Sequence, residues 1–527
     1  MKRRSPVHGR ALSRTVVRMS VLTIPLALTS MSVLAQDHQV TFSPSLRLTE
    51  TITDNVDLSR GSGTGGNASS KSDYITGIIP SMELNSRGGR AQGNLRASVA
   101  SLFYANNSNL NTSFLTFNGT GSVEAVEKFA YVDVRGSESR EVASVLGVRP
   151  GDQVTGRANQ TNVRNVGISP YLRGHFHNSG VAELRYDINS SSASSGSFQR
   201  MQQQMWSGSL VDETAFGQSG WSLAFSDNQV SQTGRRDLHL QSARLTLMSR
   251  VTPQLQLRVI GGGEGNNYNS SNTQQSTIVG AGFDWKPSAF GRVSATWEDR
   301  FFGPGYQMSG DYSTGPFVFN AKFSKDVTST SQALSATSLT TAYDLLMGLL
   351  ASRYPDPVAR DQAVRTYLTN QGVSTDQQIG ISQSVLNNGV FLDRRLQFGA
   401  SYVGLRRTTF MFSGYRSERS SLVSQTAALG GEFINATRVT DSSGSLMLNH
   451  RLTPLTSATA DMTLIRTQAD GSATTPSFTN KTRRATAGLS TSFTRRSSGS
   501  LTYRHSRATG TTEYTENALL GSVIILF

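Results

Sequence analysis

Residues 519–527 read Leu-Leu-Gly-Ser-Val-Ile-Ile-Leu-Phe, a short apolar strand that stops on an aromatic residue, Phe527. A soluble domain gains nothing from exposing such an end. A strand that closes a membrane barrel must instead face lipid on one side and finish at an aromatic girdle, so Phe527 is expected to be a terminal barrel signal. At the other end Lys2, Arg3, Arg4, Arg10, Arg14 and Arg18 precede two apolar stretches, 21–28 and 31–34, and Val33-Leu34-Ala35 offers a small-residue cleavage site before Gln36. Residues 1–35 are therefore expected to be a removed secretory signal. Pro25, Thr29, Ser30 and Ser32 break the apolar stretch and argue against a membrane anchor. The two ends together predict a bacterial outer-membrane protein whose residues 36–527 form the barrel.

Composition agrees with that expectation. No run of about 18 apolar residues follows Ala35, which excludes helical membrane spans and leaves strands that are apolar on one face only. The chain has no cysteine, so disulfides, thiolate metal sites and cysteine nucleophiles are excluded. Its formal charge of +14 falls to +8 once the six cations of the signal are removed. For a secreted chain the expected partners of that excess are anionic sugars, lipid head groups or anionic solutes, and not nucleic acid.

Working outward from the last strand, the same texture recurs throughout. Val40, Phe42, Leu46 and Leu48 oppose Thr41, Ser45 and Arg47, and Tyr74, Ile78, Met82 and Leu84 oppose Asp73, Ser81 and Glu83. Leu95, Ala97 and Val99 continue the alternation, as do Ala182, Leu184, Tyr186 and Ile188; Leu255, Leu257 and Val259; and Val293, Ala295 and Trp297. Tight turn chemistry appears ten times, at 86–90, 126–128, 177–180, 217–220, 252–254, 286–291, 313–316, 404–407, 453–455 and 495–499. Longer polar stretches such as 61–72, 105–113, 261–275 and 468–481 lie between them. Ten hairpins plus a first and a last strand predict an all-β, single large antiparallel transmembrane barrel of about 22 strands, an even number with both ends on the periplasmic side.

One segment breaks the pattern. From 325 to 388 the alternation fades, and Ala342, Leu345, Leu346, Leu349 and Leu350 fall at helical spacing. A second run holds Val358, Ala359, Val364, Tyr367 and Leu368, with Asp356 as a cap, Pro357 in the first turn and Gly372 as a stop. This predicts a helical hairpin inserted in a loop, either self-contained at the surface or folded onto the barrel as a gate. Only a few residues separate Gln36 from the first strand, too few for a large N-terminal plug.

Three stretches resemble the outer-membrane proteins associated with the PEP-CTERM/exosortase system and related β-barrel porins. They are Leu46 to Val56, where Thr53-Asp54-Asn55 follows a strand; Ser72-Asp73-Tyr74-Ile75-Thr76 running on to Ile79-Pro80; and Trp297-Glu298-Asp299-Arg300-Phe301-Phe302-Gly303. The resemblance extends over most of the mature chain. It implies an outer-membrane barrel encoded alongside exopolysaccharide and protein-sorting functions, and it supplies no catalytic residues.

The polar faces carry Arg47, Arg96, Arg135, Arg185, Arg258, Arg395 and Arg504, with Asp133, Glu183, Asp187 and Glu298 interspersed. A lipid-facing arginine near the midplane costs about 2–4 kcal/mol, so these residues are expected to line the lumen. There they either select anionic solutes or pair across strands and hold the barrel's shape. His175 and His177 share a strand face, but no third ligand is placed near them and a surface position is the simpler reading. Gly217-Gln218-Ser219-Gly220 reads as a turn and not a nucleophile elbow, and the glycines of 61–66 lack what a phosphate loop needs. Trp206, Trp221, Trp285 and Trp297 fit an aromatic girdle. No catalytic residue, metal site or cofactor is expected. The predicted function is a channel or conduit linked to exopolysaccharide export; the alternatives are a structural or matrix-binding barrel and an outer-membrane enzyme. Expected partners are outer-membrane lipid and lipopolysaccharide, the barrel-assembly machinery and anionic polysaccharide.

Overall fold

The computed structural model describes residues 39–60, 70–176, 179–194, 198, 200–268, 272–314, 316–330, 332, 343, 346–347, 350, 354, 356–371, 390–405, 407–422, 436–471 and 477–527. The expected signal, 1–35, lies outside them, as do the 61–66 glycines, His177, Leu345, Leu349 and Gly372.

Strand follows strand along the chain. The first eleven are β1 (Gln39–Thr53), β2 (Asp73–Arg87), β3 (Ala91–Tyr104), β4 (Thr112–Val126), β5 (Ala130–Val142), β6 (Gln160–Phe176), β7 (Gly180–Ala193), β8 (Met201–Phe216), β9 (Ser219–Gln232), β10 (Leu238–Thr252) and β11 (Leu255–Asn266). Then come β12 (Gln274–Ser288), β13 (Gly291–Arg300), β14 (Gly303–Thr314) and β15 (Phe317–Ser329). After a helix, α1 (Pro357–Gln371), the remaining strands are β16 (Val390–Leu405), β17 (Thr408–Ser421), β18 (Arg438–Arg451), β19 (Thr456–Ala469), β20 (Phe478–Thr494), β21 (Ser497–Gly510) and β22 (Tyr514–Leu526).

Each strand pairs antiparallel with the next. β22 returns to β1 in a register running from Ser45 opposite Leu526 to Thr53 opposite Ala518, which closes a 22-stranded barrel and leaves no free edge. The ten predicted turns all fall between an even strand and the odd strand after it, at the end that also carries Gln39 and Phe527. The loops at the other end are longer, apart from the short links β13–β14 and β21–β22.

Period two fixes which side chains face out. Directly opposed Leu247 and Val259 are 55% and 63% exposed, and Val279 is 60% exposed, so an apolar band encircles the outside. A contiguous band of that extent is incompatible with water and suits hydrocarbon. Phe42, Phe129, Phe216, Phe290, Phe493 and Phe527 are exposed at the turn end and form an aromatic ring there. Trp285 and Trp297 lie near strand ends. Trp206 instead sits in the body of β8, where it stacks on Tyr186 of β7 with ring centroids 4.4 Å apart.

β15 keeps its alternation past Lys325 to Ser329, paired with β16 all the way, so the break in texture begins later than the sequence suggests. The predicted cap is present: Oδ2 of Asp356 accepts the backbone N–H of Ala359 at 3.0 Å, and Pro357 is the first residue of α1.

Candidate functional site

The inward face is polar and many of its charges are paired. Arg135 lies 3.6 Å from Asp187, and Arg185 bonds Asp133 and lies 3.5 Å from Asp187. Arg258 meets Asp284 at 3.3 Å, Arg395 meets Asp393 at 2.7 Å, and Glu298 takes Arg244 at 3.1 Å. Arg504 is held between Glu516 at 2.8 Å and Asp152 at 2.6 Å. Arg47 shares this face on β1. Of the two roles weighed for these arginines, cross-strand pairing is the one visible in the geometry.

Two segments cross the space these walls enclose. The first is the segment between β15 and β16, which leaves the long-loop end and reaches down toward the turn end. Leu346, Leu350, Val364 and Leu368 are buried against Met411 of β17 and Met447 of β18, with Val318 of β15 beside them. All three wall residues sit within a few residues of the turn end of their strands. Val364 and Leu368 are one helical turn apart, so α1 turns a single stripe to this wall. The flank immediately beside that stripe faces β2 and β3. Arg365 meets Glu83 at 2.7 Å, Arg96 approaches Asp361 at 3.3 Å, and the Tyr343 hydroxyl donates to Asp361 while its ring lies 4.4 Å from the Arg96 guanidinium. Burial pushes the Tyr343 phenol up to about 12, so it stays protonated and able to donate. The helix thus bridges two stretches of wall that have β19–β22 and β1 between them.

The second segment, residues 143–159 between β5 and β6, is a strap across the long-loop end. Arg149 is fully buried and reaches Asp441 of β18 at 2.5 Å, on the far side of the ring from β6. Its carbonyl accepts Tyr514 Oη at 2.8 Å and Arg484 Nη2 at 3.3 Å. Val145 packs with Phe391, Val439 and Ala469, and Val154 takes the Tyr104 hydroxyl on its carbonyl at 2.7 Å. Gly156 is left-handed at φ +64°, and a Cβ there would lie 2.7 Å from Leu58, so only glycine fits this contact with the β1–β2 loop. Asp152 closes the strap onto β21. Burial alone would raise its carboxyl, but the Arg504 guanidinium and the N–H groups of Thr155 and Val154 outweigh that and hold it below the usual carboxylate range.

Nothing in the sequence reading singled out the strap. Its signal was present: Val145, Val148, Arg149 and Val154 are apolar or bulky cationic residues in what would otherwise be a plain polar loop. His175 lies on the inward face of β6, and no group of three or more potential metal ligands occurs among the described residues. Gly217 has φ +77° in the β8–β9 turn, as the turn reading requires.

No family model matches the chain, and no curated protein matches it. Among solved structures it is similar to the FrpB iron transporter of Neisseria meningitidis, at 8% identity over 92% of this chain and 81% of that one, with a TM-score of 0.48. The siderophore receptor PirA of Pseudomonas aeruginosa matches at 8% identity, 92% and 80% coverage, and a TM-score of 0.44. OccK8 (OprE) of the same organism matches at 10% identity, 93% and 98% coverage, and a TM-score of 0.32. Likenesses this distant assign no substrate.

Proposed function

We propose that this chain is a non-enzymatic channel of the bacterial outer membrane, its lumen crossed at two levels, and that it serves passage of an anionic polymer such as an exopolysaccharide. The observation that carries the reading is the insert itself: an apolar stripe and a charged face of one helix are both docked inside a barrel whose walls are hydrophilic. A barrel that only anchored or decorated the surface would have no use for a segment lodged within it. The apolar band and the aromatic ring support insertion in a bilayer, and the secretory signal expected at 1–35 supports the outer membrane. The resemblance to PEP-CTERM-associated proteins supports the exopolysaccharide and exosortase link.

Replacing residues 341–371 with a short Gly-Ser linker should leave the barrel able to insert into planar bilayers and raise single-channel conductance several-fold. An anionic polysaccharide added to the excised channel should then block current in discrete events. Equal conductance with and without the segment would discard the insert as the gate and leave the strap as the resistance, whereas no conductance from either protein would overturn the channel reading and leave a structural or matrix-binding barrel.

A further inference from the structure

Charges on the outside of the barrel are not paired as many of those inside are. Arg416 of β17, Arg466 of β19, Lys481 and Arg483 of β20 and Arg507 of β21 all lie on the outward face and are exposed. Their chain neighbours Ser417, Thr467, Thr482, Arg484 and Ser506 are the buried, inward ones. Register brings the five together. Arg466 is directly opposite Lys481, Arg483 is directly opposite Arg507, and Arg416 and Arg466 flank the same residue, Ser442.

Direct cross-strand partners stand about 5 Å apart, and like charges so placed destabilise a sheet. Elsewhere on the outside, Arg164 has Glu138 at 2.7 Å and Arg438 has Glu418 at 3.5 Å; one further like-charge pair, Lys325 opposite Arg394, is answered by the Pro304 carbonyl at 2.8 Å from Lys325 and by the Phe323 ring under Arg394. Among the described residues no carboxylate pairs with any of the five. They cluster on neighbouring strands, toward the long-loop end.

Further along the same strands, toward the turn end, the outward residues become apolar. Leu464 and Met462 follow Arg466, Leu489 lies beyond two alanines from Arg483, Tyr503 and Leu501 lie beyond His505 from Arg507, and Phe412 lies beyond Gly414 from Arg416; these large side chains are all exposed. The patch therefore changes from cationic to apolar along the barrel axis, at the height where a bilayer changes from head groups to acyl chains.

We propose that this face is a binding site for a phosphorylated, multiply acylated glycolipid of the outer leaflet, lipopolysaccharide, with its phosphates on the five cations and its acyl chains along the apolar residues below. The inference rests on the outer-membrane reading. A one-phosphate lipid would answer one of the two opposed pairs, whereas a bis-phosphorylated head group answers both, and guanidinium groups hold phosphate oxygens bidentately.

The test compares the full chain with a variant carrying R416Q, R466Q, K481Q, R483Q and R507Q, and with a control carrying R164Q and R438Q, each in detergent micelles. Bound lipid is read by native mass spectrometry against bis-phosphorylated lipid A, its monophosphoryl form and phosphatidylglycerol. The wild type and the control should retain lipid A, and the five-site variant should retain about tenfold less. Monophosphoryl lipid A and phosphatidylglycerol should bind the wild type more weakly. If the five-site variant does not show heat-modifiable migration, K481Q with R483Q carries the comparison, with a smaller loss expected. Equal retention by wild type and variant, or equal retention of phosphatidylglycerol and lipid A, overturns the site. Failure of the wild-type barrel to insert into bilayers overturns the membrane reading beneath it, and insertion without lipid A retention overturns the site alone.

Discussion

The strap and the insert cross the same lumen by opposite chemistry. The strap is clamped at the long-loop end by buried ions, Arg149 on Asp441 and Asp152 on Arg504, with the Arg149 carbonyl accepting from Tyr514 and Arg484. The insert is held lower down by an apolar stripe, Val364 and Leu368 on Met411 and Met447, and by half-exposed charges beside that stripe. Removing one partner of a buried ion pair leaves an uncompensated charge, whereas removing a methyl group leaves a void that water or a neighbour can fill. The strap should therefore fail abruptly and the insert by degrees.

The largest effect should come from Arg149→Met. It removes the bonded cation from Asp441 in a buried site, where the Tyr415 and Thr467 hydroxyls still donate to it, and losses of about 3–5 kcal/mol are usual for such half-broken pairs. Limited proteolysis of residues 143–159 in the folded barrel should become rapid, while heat-modifiable migration of the barrel persists. Adding Asp441→Asn should restore part of the protection, because the buried charge is then gone while the Tyr415 and Thr467 hydroxyls keep an acceptor. A strap that stays protected in the single variant would mean the ion pair does not hold it.

Leu368→Ala should weaken the insert by about 2–3 kcal/mol, at the low side of buried leucine truncations because the lumen can admit water to the void. In bilayers this should appear as more frequent excursions to a higher conductance level, and not as a permanently wide pore. An unchanged event frequency would place the resistance of the channel elsewhere, with the strap as the next candidate.

These two regions were unequally legible in the sequence. Strands, turns and faces could be read because each rests on a local rule: alternation assigns Leu257 and Val259 outward and Arg258 inward without knowledge of any neighbour. The α1 cap was readable for the same reason, since Asp356 and Pro357 act within one turn. What Leu368 packs against was not readable. Met411 and Met447 look like ordinary members of alternating strands, and although the β17–β18 register sets them opposite each other, nothing local says that the insert packs on them. The strap was harder still, because Arg149 and Asp441 are separated by most of the barrel and neither position carries a local signal of its partner. Inward arginines were recognised by face, but their pairing was only half readable: Asp393 and Arg395 are two apart on one strand, whereas Asp133 and Arg185 meet across β6.

The smallest effect concerns pH and separates the strap from the insert without mutating either core. Asp152 is held below its ordinary range in the folded protein, so the stabilisation it gives is present above the unfolded value near 3.8 and is lost as pH falls through the lower, folded value. Arg504, Arg484 and Arg140 are the cations around it, and Glu516 shares Arg504. Acidification below about pH 4 should therefore loosen the strap gradually, while protease sensitivity there stays flat between pH 5 and 8. The change should be milder than that caused by Arg149→Met, because a protonated Asp152 still accepts the N–H groups of Val154 and Thr155 at 2.8 Å. Asp152→Asn should start partly loosened at neutral pH and show less further change on acidification. The same acid sensitivity in Asp152→Asn as in the wild type would assign the transition to another carboxylate, Glu516 first among them.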